Sequence, residues 1–297
     1  MIAIGGPAVA ASVKTILFAT DFSEAAGRAQ GYATGLATRF GAKLVVVHAK
    51  EPPNYALPPE TWRSTDDATS RHMEELKKSI LNSVQGINAE FCTGEGTTWQ
   101  VLDSVSAKQR IDLVVAGTRG RTGVGKVLLG SQAEEILRRS QCPVLTVGPH
   151  SELMKDGNNT LAEVLYATDF SPESQAAAPY AVSFALALQA HLTLLHIIEH
   201  RKAGELVYSD ELVSSSKRLL ESLVPEGTKF WREPQYLVEH GPAAERILEI
   251  AKRTYAGLIV LGVRKPMGIP GASSHLPAGV AHKVVVGAEC PVLTVRG

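Results

Sequence analysis

The pentapeptide Ala19-Thr-Asp-Phe-Ser23 returns as Ala167-Thr-Asp-Phe-Ser171, and Cys142-Pro-Val-Leu-Thr-Val147 returns letter for letter as Cys290-Pro-Val-Leu-Thr-Val295. The register is constant: 169 − 21, 196 − 48 and 290 − 142 all equal 148, which matches Asp169 to Asp21, His196 to His48 and Cys290 to Cys142. That period is too long for a solenoid and is the size of a domain, so the chain of 297 residues reads as one α/β unit written twice. Residues 1–12 read as a loose leader, 13–148 as the first unit, 149–160 as a polar linker and 161–297 as the second.

Within the first unit, Ile16 to Thr20 is a short apolar run that ends at Asp21. Ser23 can cap a helix over Glu24 to Phe40, which stops at Gly41. A second strand covers Lys43 to His48. Pro52, Pro53, Pro58 and Pro59 make Glu51 to Glu60 a loop, and a charged amphipathic helix follows over Trp62 to Val84. A weaker strand lies near Ile87 to Cys92, a helix at Thr98 to Gln109, a strand at Leu113 to Ala116, a helix at Gln132 to Arg139 and a last strand at Pro143 to Val147. Strands alternating with helices indicate a doubly wound parallel sheet.

Between the strand at Leu113 and the helix at Gln132, the chain runs Gly117-Thr-Arg119-Gly120, then nine residues, then Gly130-Ser131. Glycines allow positive φ and let backbone approach a ligand without a Cβ, and such a loop can turn several N–H groups inward as an anion cradle. Ser131 at a helix start adds a hydroxyl and a favourable dipole, which suits phosphate.

This Gly-x2-Gly-x9-Gly-Ser spacing resembles the nucleotide loop of the universal stress protein family, and the internal repeat extends the resemblance over nearly the whole chain as two tandem domains. The resemblance implies two Rossmann-like (adenine nucleotide alpha hydrolase-like) domains, each a five-stranded parallel sheet of order 3-2-1-4-5 with helices on both faces. It also implies ATP as the ligand, with Gly117, Gly120, Gly130 and Ser131 as the ribose and phosphate cradle. By the same resemblance Asp21 accepts from the ribose hydroxyls, and Ala19, Thr20 and Ala49 line adenine and ribose. Gln132 offers a helix N-terminal amide, and Arg119 and Lys126 are placed to neutralise phosphate. The competing role for Asp21 is an N-terminal helix cap; since Asp169 is retained where the glycines are not, capping explains part of the motif.

The second half departs from the pattern. Gly262 matches Gly117, but Lys265 stands where Gly120 does, and counting back from Cys290 sets Ala278 and Gly279 against Gly130 and Ser131. Pro266, Pro270 and Pro277 stiffen that loop. Two other strings fail on chemistry. Gly120-Arg-Thr-Gly-Val-Gly125-Lys126-Val127 approximates a P-loop, but Val127 replaces the hydroxyl that binds magnesium. His196-Ile-Ile-Glu199-His200 spells H-x-x-E-H, yet it begins inside a β-type run, where residues four apart are separated by about 13 Å and cannot share one zinc.

Thirty basic residues balance thirty acidic ones, so no global charge attracts nucleic acid or anionic lipid. Three scattered cysteines without a Cys-x-x-Cys pair point to a reducing cytoplasm, and no run reaches the roughly 20 apolar residues of a membrane span. No nucleophile and base pair stands out, and no residue is assigned to catalysis or to a metal. The expected function is a cytoplasmic stress-response protein that binds ATP in its first half and acts through nucleotide-dependent association, with the magnesium requirement open. The alternatives are a slow ATPase or other adenylate-handling enzyme, and a scaffold whose halves pair through their Cys-Pro-Val-Leu-Thr-Val strands, with a homodimer as a further assembly. ATP titrated calorimetrically into the chain is expected to fill near one site per molecule; two equal sites would refute the asymmetry between the halves.

Overall fold

The computed structural model describes residues 11–50, 59–83, 86–118, 129–154, 161–199, 210–264 and 279–297. The first half runs β1 (Thr15–Ala19), α1 (Glu24–Phe40), β2 (Lys43–Lys50), α2 (Pro59–Ser83), β3 (Ala89–Glu95), α3 (Thr98–Lys108), β4 (Leu113–Gly117), α4 (Ser131–Arg139) and β5 (Val144–Val147). The second runs β6 (Glu163–Thr168), α5 (Pro172–Gln175), α6 (Ala178–Leu188), β7 (His191–Ile198), α7 (Asp210–Ser222), β8 (Gln235–His240), α8 (Ala243–Arg253), β9 (Leu258–Val263), α9 (Val280–Gly287) and β10 (Val292–Arg296). Ser23 and Gly41 are the caps of α1, as the sequence predicts: the Ser23 side chain accepts from the Ala26 N–H, and Gly41 is left-handed at φ 61°. One boundary moves. The proline-rich stretch was expected to stay a loop through Glu60, but α2 begins at Pro59, because proline lacks an N–H only where a first-turn helix needs none.

The sheet order is β3-β2-β1-β4-β5-β10-β9-β6-β7-β8. Each half is therefore 3-2-1-4-5, parallel throughout, and the halves meet antiparallel, with Val292 opposite Thr146, Leu293 opposite Leu145 and Thr294 opposite Val144. Because the strand order reverses at β1, the helices divide between two faces. Residues of α1, α2, α6 and α7 bury one core with Phe18, Val46, Leu145, Tyr166 and Leu293, while α3, α4, α8 and α9 bury another with Leu17, Val45, Leu165 and Val292. The first core is continuous across the seam: Phe40 of α1 meets Phe184 of α6 edge to face at 5.0 Å. The segment after β5 lies along α1, where Arg28 donates to the Ser151 carbonyl at 3.3 Å and Tyr32 to that of Glu152 at 2.8 Å.

The fourth strand of each half ends against the first helix. Gly117 pairs with Val147 and Gly262 with Val295, which makes the two glycines structural equivalents although their spacing is 145, not 148. A Cβ on Gly117 would lie 2.9 Å from the Ala25 carbonyl carbon, and one on Gly262 would lie 2.2 Å from Ser174 Cα. Both glycines thus have a packing reason that involves no ligand. Gly262→Ala is expected to cost about 1–3 kcal/mol through overpacking, and more than Gly117→Ala, read as the shift in urea midpoint.

Candidate functional site

Where an open α/β sheet reverses its strand order, the carboxyl ends of the two central strands splay their connections to opposite faces and leave a crevice. Here those strands are β1 and β4, paired Ala19 to Ala116. Thr20 extends the ladder by one bond, its N–H donating to the Val47 carbonyl at 2.9 Å. The chain must then turn sharply into α1, and three short polar side chains make the turn. The Thr20 hydroxyl accepts from the Phe22 N–H at 3.1 Å, Asp21 Oδ1 from the Ser23 N–H at 3.0 Å, and the Ser23 hydroxyl from the Ala26 N–H at 3.2 Å. Phe22 takes the left-handed conformation at φ 60°, uncommon for a bulky residue and held by these bonds. Its ring stacks 4.4 Å from that of His48 and 5.4 Å from that of His72. His48 is buried at the end of β2 with Nδ1 2.8 Å from the Thr20 carbonyl, and since a carbonyl only accepts, Nδ1 carries the proton.

The second half builds the same turn. Phe170 lies at φ 62° with its N–H on the Thr168 hydroxyl at 3.0 Å, Asp169 Oδ1 accepts from the Ser171 N–H at 3.0 Å, and His196 Nδ1 sits 2.9 Å from the Thr168 carbonyl, its ring 4.4 Å from Phe170. Burial opposes ionisation of Asp169, but hydrogen bonds from Ser171 and Ser174 hold its carboxyl below the ordinary aspartate value. The Ala-Thr-Asp-Phe-Ser motif is therefore first a folding device. The alternative role for Asp21 also needs correcting, because Ser23 is the N-cap and Asp21 closes an Asx turn one step earlier. His48 and Phe22 were not among the expected site residues; the 148-residue register had matched His48 to His196 without giving either a role.

On the other side of the crevice, β4 ends at Gly117 and the next residue, Thr118, clamps both ends of the glycine loop. Its N–H donates to the Val147 carbonyl and its own carbonyl accepts from the Gly130 N–H at 2.8 Å. Buried Thr118, like His48 and Phe22, was not among the expected site residues. Gly130 is the N-cap of α4 at φ −64°, a conformation any residue adopts, so its value lies in having no side chain rather than in backbone freedom. No side chain caps this helix. Ser131 is its first residue, not its cap, and the N–H groups of Ser131, Gln132 and Ala133 are those that no intrahelical carbonyl reaches. Ala19, Thr20, Asp21, Ala49 and Gly117 thus stand at the carboxyl ends of β1, β2 and β4, with Gly130, Ser131 and Gln132 at the start of α4. Arg119, Gly120 and Lys126 lie outside the described residues.

The second half differs where the first half opens α4. Gly279 is the N-cap of α9 and Val280 its first residue, so Gly279 answers Gly130 and Val280 answers Ser131, one position off the count made from Cys290. The C-caps Ser140 and Ala288 keep the 148 spacing; α9 is simply one residue shorter at its start. Lys265, Pro266, Pro270, Pro277 and Ala278 lie outside the described residues. His196 is in β7, as expected of the H-x-x-E-H string, and among the described residues no three of His, Cys, Asp or Glu group to hold a metal ion. A separate open groove of about 810 Å³ lies between β3 and α3 at the sheet's outer edge and shares no residue with the crevice. Among the described residues, no helix is long and apolar enough to cross a membrane.

A doubly wound α/β unit of strand order 3-2-1-4-5, present twice in one sheet, defines a class of tandem Rossmann-like proteins. The model of the universal stress protein family matches residues 12–148 and again 162–296, and the chain belongs to that family. A universal stress protein of Thermus aquaticus is 36% identical over 138 residues, 45% of this chain and 98% of that protein. One from Mycolicibacterium smegmatis is 25% identical over 295 residues, covering 95% of this chain and 96% of its own. Among solved structures, a universal stress protein from Archaeoglobus fulgidus superposes with a TM-score of 0.69 at 20% identity over 95% of this chain and 98% of that one, which shares the tandem fold.

Because His48 and His196 do the same structural work, His196→Ala is expected to cost about 1–3 kcal/mol by leaving the Thr168 carbonyl short of a donor. Urea unfolding measures that loss, and nucleotide affinity measured calorimetrically on the folded variant should not change.

Proposed function

We propose that the first half binds ATP at the β1/β4 crevice and that the chain acts in the cytoplasm through nucleotide-dependent association rather than efficient turnover. The observation that carries this reading is the uncapped start of α4, where a side-chain-free N-cap and a serine present helix N–H groups at the fold's switch point. The second half has Val280 in place of that serine, a 38% exposed apolar side chain that offers no donor. Both helices start uncapped on a glycine, so among the described residues it is the Ser131 hydroxyl that favours the first half for a triphosphate. Gly130, Ser131 and Gln132 would meet the phosphates, with Gly120 and the cations Arg119 and Lys126 from the intervening loop. Asp21 would receive the ribose hydroxyls, and Ala19, Thr20, Ala49 and Gly117 would line the sugar and base. When bound, ATP would supply charge that orders this edge, and magnesium could accompany it.

A second reading, a scaffold without nucleotide, draws on the antiparallel pairing of β5 with β10, which takes up the edge strand through which two chains would otherwise associate. Mass spectrometry of gently purified chain separates the two. Retained ATP supports the nucleotide reading; an empty crevice with no affinity at millimolar ATP leaves the scaffold. Sustained phosphate release that disappears in Asp21→Asn or Lys126→Ala would instead mark a slow ATPase. Gly130→Leu places a branched side chain among the phosphate-binding N–H groups and is expected to weaken ATP at least tenfold, equivalent to about 1.4 kcal/mol or more. Unchanged affinity in that variant would remove the phosphate cradle from the proposal.

A further inference from the structure

The helix that opens the candidate site is held at its far end by the other half of the chain. Arg296, the last residue of β10, extends its guanidinium across the seam, where Nη2 donates to the carbonyl of Leu137 in the last turn of α4. That carbonyl is one of the terminal four that no N–H of the helix can reach, and its neighbour at Ile136 is already taken by the Ser140 N–H. A cation there also meets the negative end of the helix dipole. Burial lowers the Arg296 pKa, so the half-buried charge depends on the helix end for its solvation.

The arrangement is one-sided. The position matching Arg296 in the first half is Gly148, which has no side chain to extend; a Cβ there would sit 3.6 Å from the Ala288 carbonyl at the end of α9. The helix with the serine and the intact glycine spacing thus receives an arginine from its neighbour, and the helix that starts with Val280 meets Gly148 in that place. At nine residues α4 is about 13 Å long, short enough to move as a rigid rod, so fixing its last turn fixes the direction of its first N–H groups.

We propose that Arg296 is a positioning residue of the first half's phosphate site, so that the site is complete only when the second half is docked against it. The inference rests on the nucleotide reading above. It predicts a split between ligands, because α4 would touch the phosphates of ATP and not the base or sugar. In the full chain, Arg296→Gln is expected to weaken ATP about threefold to tenfold by calorimetry while adenosine affinity stays at the wild-type value. Arg296→Lys, which keeps the charge, is expected to recover at least half of the loss. If Arg296→Gln does not fold, Arg296→Met keeps the apolar stem and carries the same comparison. Unchanged ATP affinity in the neutral variants overturns the proposal, as does an equal loss for ATP and adenosine, which would mean general loosening, or a lysine variant no better than glutamine. Wild-type chain that binds adenosine and ATP equally well, or neither, overturns the nucleotide reading and this inference together, whereas wild-type selectivity for ATP retained in the neutral variants overturns the inference alone.

Discussion

Antiparallel pairing of β5 with β10 turns two five-stranded units into one ten-stranded sheet. Without it, each half would end in an open row of N–H and C=O groups beside an apolar face. The seam is closed by more than the ladder: Thr146 and Thr294, both buried, each donate a hydroxyl across it, to the Val292 carbonyl at 3.1 Å and the Val144 carbonyl at 3.2 Å. Leu145 and Leu293 continue one core through the seam, and Phe40 and Phe184 close over it. The reach of Arg296 onto α4 follows from the same alignment, since β10 delivers its last residue beside the first half's helix only in this register.

Duplication supplies an internal comparison for every feature of the crevice. What both halves keep is what folding requires: the Thr-Asp-Phe-Ser turn with its left-handed phenylalanine, the histidine bonded to the threonine carbonyl before it, and a glycine where the fourth strand meets the first helix. What only the first half keeps is the pairing of a bare N-cap with a serine, and it is on this difference, rather than on the shared motif, that a ligand reading has to stand. Asp21 illustrates the point. Its bond to the Ser23 N–H is reproduced by Asp169, so the local geometry of this aspartate is no evidence by itself for ribose.

The halves are nonetheless not interchangeable in packing. The first helix of the first half is a single rod from Glu24 to Phe40, whereas its counterpart is broken into α5 and α6 around Ala176 and Ala177, with Pro172 and Pro179 in their first turns. The closer approach at Gly262 accompanies that break: the short α5 sits tighter on β9 than α1 does on β4.

Periodicity and exact repetition were enough, read along the chain, to determine the class of fold, the doubling, the limits of α1 with its serine and glycine caps, and the placing of His196 in a strand. These are local or repeated signals, and alternation of apolar residues reports burial without knowledge of what does the burying. The tertiary structure alone decided which helix residue is the cap and which the first turn at Gly130 and Ser131, since caps are defined by backbone dihedrals and not by composition. It alone gave Gly117 and Gly262 a neighbour too close for a Cβ, gave His48 and Thr118 their carbonyl partners, and joined Arg296 to Leu137, because each of these contacts links residues that lie far apart along the chain and meet only when the sheet forms.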